Sequence, residues 1–260
     1  MHAELQLSTA TLLGFLVTLA RIGGVFVFLP LPGMKSGADM ARIVLSVSVT
    51  MALFPQWPRV TAEGSAGLLA VWMVSEAALG IGIGLAVAFV TEAVLVAAQT
   101  LSLQAGYGFA SMVDPNTQAD SGILVIFAQL AAGLLFFAAG LDRQVLRIFA
   151  RSLDVMPAGS FVLSRGMGER ILAAGATMFS TGVRLAMPVI AVLAMVDISL
   201  ALLGRVNAQL QLLTISFPIK MMLALTVFGW ILVLLPAVMR SDMDMALTAS
   251  KGLLVRSYGR

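Results

Sequence analysis

Residues 68–98 read LLAVWMVSEAALGIGIGLAVAFVTEAVLVAA and carry only two charges, Glu76 and Glu92. About 20 apolar residues are enough for a helix to cross the hydrocarbon core of a bilayer. At about 1.5 Å per residue, this stretch would extend more than about 40 Å. Its length therefore predicts a helix that is broken, bent or surrounded by protein rather than a simple rod in lipid.

The composition of the whole chain indicates the same environment. Of 260 residues, 60% are hydrophobic and 11% are charged, and the mean hydropathy is +1.00. Soluble domains carry about 25% charged residues, so a cytosolic enzyme, a disordered linker and a free nucleic-acid-binding domain are excluded. The net charge is +3 and there is no cysteine. Residues 1–11 lack a basic n-region and a cleavage site, so we expect no removable signal peptide. The chain is predicted to be an integral membrane protein.

Apolar stretches recur along the chain in unequal lengths. The second stretch, 43–56, is too short to span a bilayer comfortably, and the third and fifth, 68–98 and 171–202, are longer than a span requires. Pro188 predicts a bend in the fifth stretch because proline lacks an N–H. We expect an all-α membrane protein, one domain over 1–260, whose segments pack into a multi-subunit assembly. The six stretches are 12–29, 43–56, 68–98, 123–141, 171–202 and 213–235.

The connections between these stretches differ in charge. Most of the basic residues lie in the connection 142–170 and in the C-terminal tail, whereas 99–122 contains no Lys or Arg. For six crossings, the positive-inside rule then places both termini in the cytoplasm.

Charged residues inside apolar stretches are costly and indicate function or a pairing partner. Glu92 and Lys220 lie near the ends of their stretches, where snorkelling to water is the alternative. Arg21 and Arg184 lie near the middle, so we expect them to face protein or an aqueous path. The complete set is Arg21, Glu76, Glu92, Arg184, Asp197 and Lys220.

Small residues are spaced four apart in the 76–86 run and just beyond it. One register contains Gly80, Gly84 and Ala88, and a second contains Ala78, Gly82 and Ala86. Such spacing allows helix backbones to approach closely within a membrane. We interpret the run as a helix-packing surface, the alternative being a passively flexible helix.

The segment 99–122 differs most from an ordinary connection. Gly106 and Gly108 flank Tyr107 and permit backbone angles that other residues avoid. Asp114-Pro115-Asn116 is typical of a turn. Between these points lie the apolar side chains Phe109, Met112 and Val113, without a regular period. The pattern fits a hinged flap or plug over an aqueous path, and it fits equally a surface loop folded onto its own helices.

A second polar interruption runs from Gly204 to Gln211 and is followed by Phe217-Pro218-Ile219-Lys220. Amide side chains within membrane assemblies bond across helices and contribute about 0.6 to 2 kcal/mol each. An inter-subunit seam is therefore one interpretation, and a short solvated hairpin turn is the other. The polar residues in question are Arg205, Asn207, Gln209 and Gln211.

Side chains for catalysis are scarce. The one histidine is His2, and no phosphate-binding loop motif occurs. We therefore expect no enzyme, no metal site and no cofactor. The remaining classes are a secondary transporter, with Arg184, Asp197 and Lys220 as an ion relay, and a structural pore subunit. Transporters commonly show inverted repeats. The halves of this chain show no convincing self-similarity, which favours the pore subunit.

Four motifs follow one another along the chain: GYGFASMVDP at 106–115, LAMPV at 185–189, LLGRVNAQL at 202–210 and FPIK at 217–220. In this order and spacing they resemble the FliR/SctT family of type III export-gate subunits. Arg21 followed by Pro30 fits the family's opening. The family more often has proline immediately before Gln209, where this chain has Ala208. The Gly-Tyr-Gly-Phe and Phe-Pro-x-Lys runs resemble the flagellar branch more than the injectisome branch.

The resemblance implies a multi-pass subunit of the bacterial inner membrane in the flagellar basal body. It would assemble with FliP and FliQ into the export gate, with FlhB and FlhA docked beneath. Unfolded rod, hook and filament proteins would pass through it, and segment 106–122 would help to close the pore. Its partners would include membrane lipid but no nucleic acid. The alternatives are an SctT-type subunit of a virulence secretion system and, less favoured, a secondary transporter.

The motifs assign residues to two roles. Predicted plug or gating residues are Gly106, Tyr107, Gly108, Phe109, Met112, Val113, Asp114 and Pro115. Predicted packing residues are Arg21, Gly80, Gly84, Arg184, Pro188, Asp197, Arg205, Asn207, Gln209, Gln211, Phe217, Pro218 and Lys220.

Overall fold

The protein is described by a computed structural model that covers residues 9–32, 39–58, 66–107, 122–156, 165–206 and 212–256. Almost all of these residues are helical, and no strand occurs among them. A 3₁₀ helix at Phe54–Gln56 follows the second α-helix. The α-helices are α1 (Thr9–Phe28), α2 (Met40–Ala52), α3 (Ala66–Ala105), α4 (Ile123–Ala138), α5 (Leu141–Val155), α6 (Arg165–Val206) and α7 (Leu212–Arg256).

Within the described ranges, four helices are long and apolar enough to cross a membrane: Ala10–Phe28, Gly67–Ala105, Gly168–Arg205 and Ser216–Ser241. A fifth span is possible if α4 and α5 count together as one. The predicted all-α membrane fold is confirmed. Helix α2, at 13 residues, is too short, as predicted. The orientation of the termini was inferred from six crossings, and it stays a prediction.

Helix α3 contains the 68–98 stretch and runs for 40 residues without interruption. Of the alternatives predicted for this stretch, a break does not occur, whereas burial within protein does. In the most apolar 18-residue stretch of α3, more than half of the residues are buried within the chain. In the corresponding stretches of α6 and α7, less than a fifth of the residues are buried. Its length therefore reflects protein neighbours along its course.

The connection predicted at 142–170 contains α5, which sequence hydropathy did not reveal. Leu141, Val145 and Phe149 are buried on one face of this helix, while Arg143 and Arg147 are exposed on the other. An amphipathic helix of this kind has low mean hydropathy although one face is apolar. Likewise, α7 continues through the predicted C-terminal tail to Arg256.

The chain divides into two compact units. Unit 1 comprises Met1–Ala88, Gly140–Ala174 and Asp242–Arg260, and unit 2 comprises Phe89–Ala139 and Gly175–Ser241. Unit 2 contains a buried cluster from α3, α4, α6 and α7. Leu101, Ala128, Leu193 and Phe228 lie in this cluster and are each at most 1% exposed.

In unit 1, helices α1 and α3 are in backbone contact. A Cβ atom added to Gly24 would lie 2.5 Å from the carbonyl oxygen of Ala77, and one added to Gly84 would lie 2.5 Å from that of Val25. A Cβ on Gly80 would collide with the carbonyl group of Arg21. Small residues therefore permit this packing, as they do in other membrane helix pairs.

Helix α2 packs against α1 through polar side chains. Its buried residues are Arg42, Ser46 and Thr50, four residues apart along one face. The Arg42 guanidinium donates to the carbonyl oxygens of Leu29 at 2.7 Å and Val27 at 3.2 Å, and also to that of Phe26. These bonds satisfy carbonyl groups that the end of a helix leaves without partners.

Candidate functional site

Helix α3 ends directly before the predicted plug segment. Gly106 has φ +87°, the left-handed conformation that favours glycine. The Gly106 N–H donates to the carbonyl of Leu103 at 3.2 Å, and the Tyr107 N–H donates to that of Ser102 at 2.9 Å. These two bonds form a Schellman cap. The direction in which the chain leaves α3 is therefore set by the cap.

Two contacts hold this cap against α7. A Cβ on Gly106 would lie 2.6 Å from Cδ1 and 2.7 Å from Cε1 of the Phe217 ring, so only glycine fits. The Tyr107 hydroxyl donates to the backbone carbonyl of Met221 at 2.8 Å. Burial raises the pKa of the Tyr107 phenol, so it stays protonated and able to donate at neutral pH.

The far end of the segment returns to the same place. A Cβ on Gly122, which precedes α4, would lie 2.5 Å from Oγ of Ser102 and 3.7 Å from Cβ of Tyr107. Tyr107 and Gly122, the described residues on either side of the segment, therefore lie next to each other in unit 2. The predicted plug residues Gly108, Phe109, Met112, Val113, Asp114 and Pro115 lie outside the described residues.

A polar cluster connects α3, α6 and α7, and its α3 member lies just before Gly106 in the sequence. Lys220 of α7 forms an ion pair with Asp197 of α6, and the side chains are 13% and 40% exposed. Nε2 of Gln104, in the last turn of α3, donates to Oδ2 of Asp197 at 3.4 Å. Asp197 and Lys220 were both candidates from the sequence. Gln104, Ser102 and Met221 were not, because nothing in their local sequence indicates long-range partners.

Arg21 lies in unit 1 and is paired inside the chain. Its Nε donates to Glu76, its Nη1 donates to the carbonyl of Ser152 at 2.9 Å, and its Nη2 donates to the carbonyl of Met156 at 3.1 Å. Arg21 is 1% exposed and Glu76 is 0% exposed. Sequence alone did not identify a counter-charge for Arg21. The structure selects Glu76 and adds two carbonyl acceptors that no sequence pattern indicates.

Arg184 differs from Arg21 because it is exposed on α6. Within the part of the chain that the structure describes, no carboxylate or carbonyl pairs with it. Pro188 is exposed one turn further along the same helix, while its neighbour Val189 is buried in the unit 2 cluster. An unpaired cation on an apolar helix requires water or another protein as its neighbour.

The remaining candidates lie around the junction of α6 and α7. Arg205 is exposed near the end of α6, Phe217 is half-buried and Pro218 is exposed. The predicted seam residues Asn207, Gln209 and Gln211 fall outside the described residues. Among the residues described, no group of three or more His, Cys, Asp or Glu side chains is placed to hold a metal ion.

Comparison with known proteins gives a consistent match over most of the chain. The family model for bacterial export proteins, family 1, matches residues 12–246. A flagellar biosynthetic protein FliR from Escherichia coli K12 is 25% identical over 77% of each chain. A protein of that name from Pectobacterium carotovorum is 26% identical over 76% of each chain. One from Bacillus subtilis 168 is 23% identical over 92% of this chain and 94% of its own.

Proposed function

Because the chain belongs to the bacterial export proteins, family 1, we propose that it is the FliR-type channel subunit of the flagellar type III protein export gate. The observation that carries this proposal is the family match over residues 12–246, together with relatives that are named for flagellar biosynthesis. These findings support a membrane-embedded component of the flagellar export apparatus. We place it in the bacterial inner membrane, as one export-gate domain in the basal body.

Assembly with FliP and FliQ is supported by the uncovered faces of unit 2. Less than a fifth of the most apolar windows of α6 and α7 is buried within the chain. Arg184 is exposed within this apolar surface, where contact with lipid tails would be costly. A neighbouring subunit that places a carboxylate or carbonyl groups next to Arg184 would remove this unfavourable contact with lipid. Neighbouring subunits would also cover the long apolar helices.

The outer face of α2 supports a non-aqueous environment for unit 1. Arg42, Ser46 and Thr50 are buried on the side of this helix that packs against α1, whereas most of its large apolar side chains point outward. A water-soluble protein would show the opposite arrangement. The face is therefore suited to lipid or to another membrane subunit. Its exposed large apolar side chains are Met40, Ile43, Val44, Leu45, Val47 and Met51.

Closure of the pore is assigned to segment 106–122. Its two ends meet at Ser102 and Tyr107, which is the geometry expected of a flap with a single attachment. In the proposed mechanism, Phe109, Met112 and Val113 form an apolar constriction, and Gly106, Gly108 and Pro115 set its hinge. Apolar constrictions can block ions by dewetting without a tight steric seal. Unfolded rod, hook and filament proteins would pass when the flap moves, and FlhB and FlhA would dock beneath.

The test is to replace residues 108–121 by a short Gly-Ser linker. Because the two ends of the segment meet, the linker need not strain α3 or α4. The variant is expected to co-purify with FliP and FliQ and to conduct ions in planar bilayers, while the wild-type complex stays closed. Unchanged conductance would remove the closing role.

A knockout distinguishes flagellar duty from injectisome duty. Loss of motility with intact host-directed secretion is expected, and the reverse result would favour an SctT-type subunit. Solute flux by the purified chain alone in vesicles would instead indicate a secondary transporter.

A further inference from the structure

We propose that the exposed face of α5 binds the headgroups of anionic phospholipids through Arg143, Arg147 and Arg151. Such binding is separate from the proposed export role, because it concerns the surrounding membrane rather than the pore. Every residue that supports it belongs to unit 1.

The three arginines form a row on the side of α5 that faces away from the rest of the chain. They are four residues apart and therefore share one face of the helix, and all three are exposed. In the part of the chain that the structure describes, none of the three forms an ion pair or a side-chain hydrogen bond. The exposed acid of α5 is Asp154, near the end of the helix. The row therefore presents excess positive charge to whatever lies outside the chain.

The opposite face of α5 fixes the direction of this row. Leu141, Val145 and Phe149 are each at most 3% exposed on that face. The carbonyl of Ser152, also buried, accepts a hydrogen bond from Nη1 of Arg21 at 2.9 Å. A rotation that turned the arginines inward would expose the apolar side chains and break this bond. The row is thus held outward by the packing of unit 1.

An aromatic and apolar surface adjoins the arginine row. Helix α5 lies against the 3₁₀ helix Phe54–Gln56, which follows α2 and its exposed apolar face. Phe54 is 58% exposed, and its ring meets the half-buried Trp57 ring edge-on at a centroid distance of 4.9 Å. Tryptophan is enriched where acyl chains meet headgroups. The surface therefore changes from apolar on α2 to aromatic at the 3₁₀ helix and basic on α5, in the order of acyl chain, interface and headgroup.

This order of surfaces favours a phospholipid over an acidic protein segment. Arginine is costly among acyl chains, so an exposed row of three belongs at the depth of the headgroups. The planar guanidinium group matches two phosphate oxygens at once. A phospholipid can place its phosphate on the arginines while its acyl chains cover the apolar face of α2. An acidic protein segment would neutralise the row but would leave that apolar face uncovered.

The experiment measures the melting temperature of the full chain, purified in detergent with FliP and FliQ, as phospholipid is added. Phosphatidylglycerol is compared with phosphatidylcholine of the same acyl chains. We expect phosphatidylglycerol to raise the melting temperature more than phosphatidylcholine does. The difference should shrink in 1 M NaCl, where the Debye length falls to about 3 Å.

Substitutions assign the effect to the row. One basic side chain near an anionic membrane surface contributes about fivefold in affinity. Arg147→Gln should therefore raise the half-maximal phosphatidylglycerol concentration about fivefold, and Arg→Gln at all three positions about 100-fold. Asp154→Asn removes the exposed acid of this helix and should lower that concentration. Arg240→Gln, at an exposed arginine of α7, is the matched control and should titrate as wild type.

Three results would overturn the lipid site. Phosphatidylcholine may stabilise the complex as strongly as phosphatidylglycerol does, or Arg240→Gln may weaken lipid binding as much as Arg147→Gln does. The third is a triple variant that binds phosphatidylglycerol as wild type does but loses FliP and FliQ, because the row would then contact protein. Should the triple variant fail to fold, Arg147→Gln and Asp154→Asn decide, since each changes one exposed side chain. None of these measurements reports on conductance or secretion, so their failure would leave the proposed function in place.

Discussion

Arg21 of α1 and Glu76 of α3 form an ion pair whose side chains are 1% and 0% exposed. The same arginine also donates to the carbonyls of Ser152 and Met156 at the end of α5. One guanidinium therefore joins three helices of unit 1. All of its donor nitrogens have acceptors, which is the condition under which a buried charge is tolerated.

Removal of one partner of this pair is expected to be severe. Arg21→Met leaves Glu76 as a buried charge, and the loss of unfolding free energy should be about 3 to 5 kcal/mol. Arg21→Met combined with Glu76→Met removes both charges and should recover much of the loss. Thermal unfolding of the purified complex measures both variants. A double variant no more stable than the single one would show that the carbonyl bonds, rather than the ion pair, dominate.

The close approach of α1 and α3 predicts opposite outcomes at two neighbouring glycines. A Cβ on Gly24 would meet the Ala77 carbonyl oxygen at 2.5 Å, while one on Gly23 meets nothing within 4 Å. Gly24→Ala must push the helices apart and should lower the melting temperature of the complex. Gly23→Ala should be neutral or stabilising, by up to about 1 kcal/mol, because alanine favours helix. Equal effects at both sites would contradict the observed packing.

Gly106 is predicted to tolerate no side chain, for two separable reasons. Gly106→Ala places a β-carbon at φ +87° and against the Phe217 ring. Gly140 has φ +72° but open space around it, so Gly140→Ala is the matched control for backbone strain alone. At both sites, we expect the left-handed conformation to lower the free energy of unfolding of the alanine variant by about 1 to 2 kcal/mol. At Gly106, the contact with the Phe217 ring should lower it further. Melting temperatures of the two variants measure this difference, and Phe217→Ala should relieve only the steric part.

The exposed cation on α6 is predicted to contact a sister subunit. Arg184→Glu should reduce the amount of FliP and FliQ that co-purifies with the chain, because it reverses the charge offered to a partner. Arg147→Glu on the exposed face of α5 makes the same change in charge and should co-purify as wild type. Co-purification from detergent extracts, quantified by immunoblotting, is the measurement. Equal recovery of both variants would argue that Arg184 faces water.

The amide residues before α7 give a separate prediction about assembly. Replacing Asn207, Gln209 and Gln211 together by alanine should lower co-purification with FliP and FliQ, since amides bond across helices in membrane assemblies. The triple variant itself should be present in the membrane in the same amount as the wild-type chain. Full recovery of the partners would refute a seam at this place.

The fold class and the family were predictable from the sequence, whereas several helix boundaries were not. Hydropathy averages about 20 residues, so it locates α1 and the apolar parts of α3, α6 and α7. The same average conceals α5, in which Arg143 and Arg147 alternate with buried Val145 and Phe149. Of the alternatives predicted for α3, burial within protein holds and a break is absent. Burial, which an average over a single sequence does not measure, removes the need to match lipid thickness.

By itself the sequence determined that the protein is helical, lies in a membrane and belongs to an export family, because hydropathy, proline and glycine positions and short motifs are properties of neighbouring residues. It also marked Arg21, Gly106, Asp197 and Lys220 as unusual. The tertiary structure alone decided what these residues contact. Arg21 reaches Ser152, 131 positions away, and Tyr107 reaches Met221, 114 positions away. Contacts between residues so far apart in the sequence are determined by how the helices pack. Local sequence patterns do not predict them.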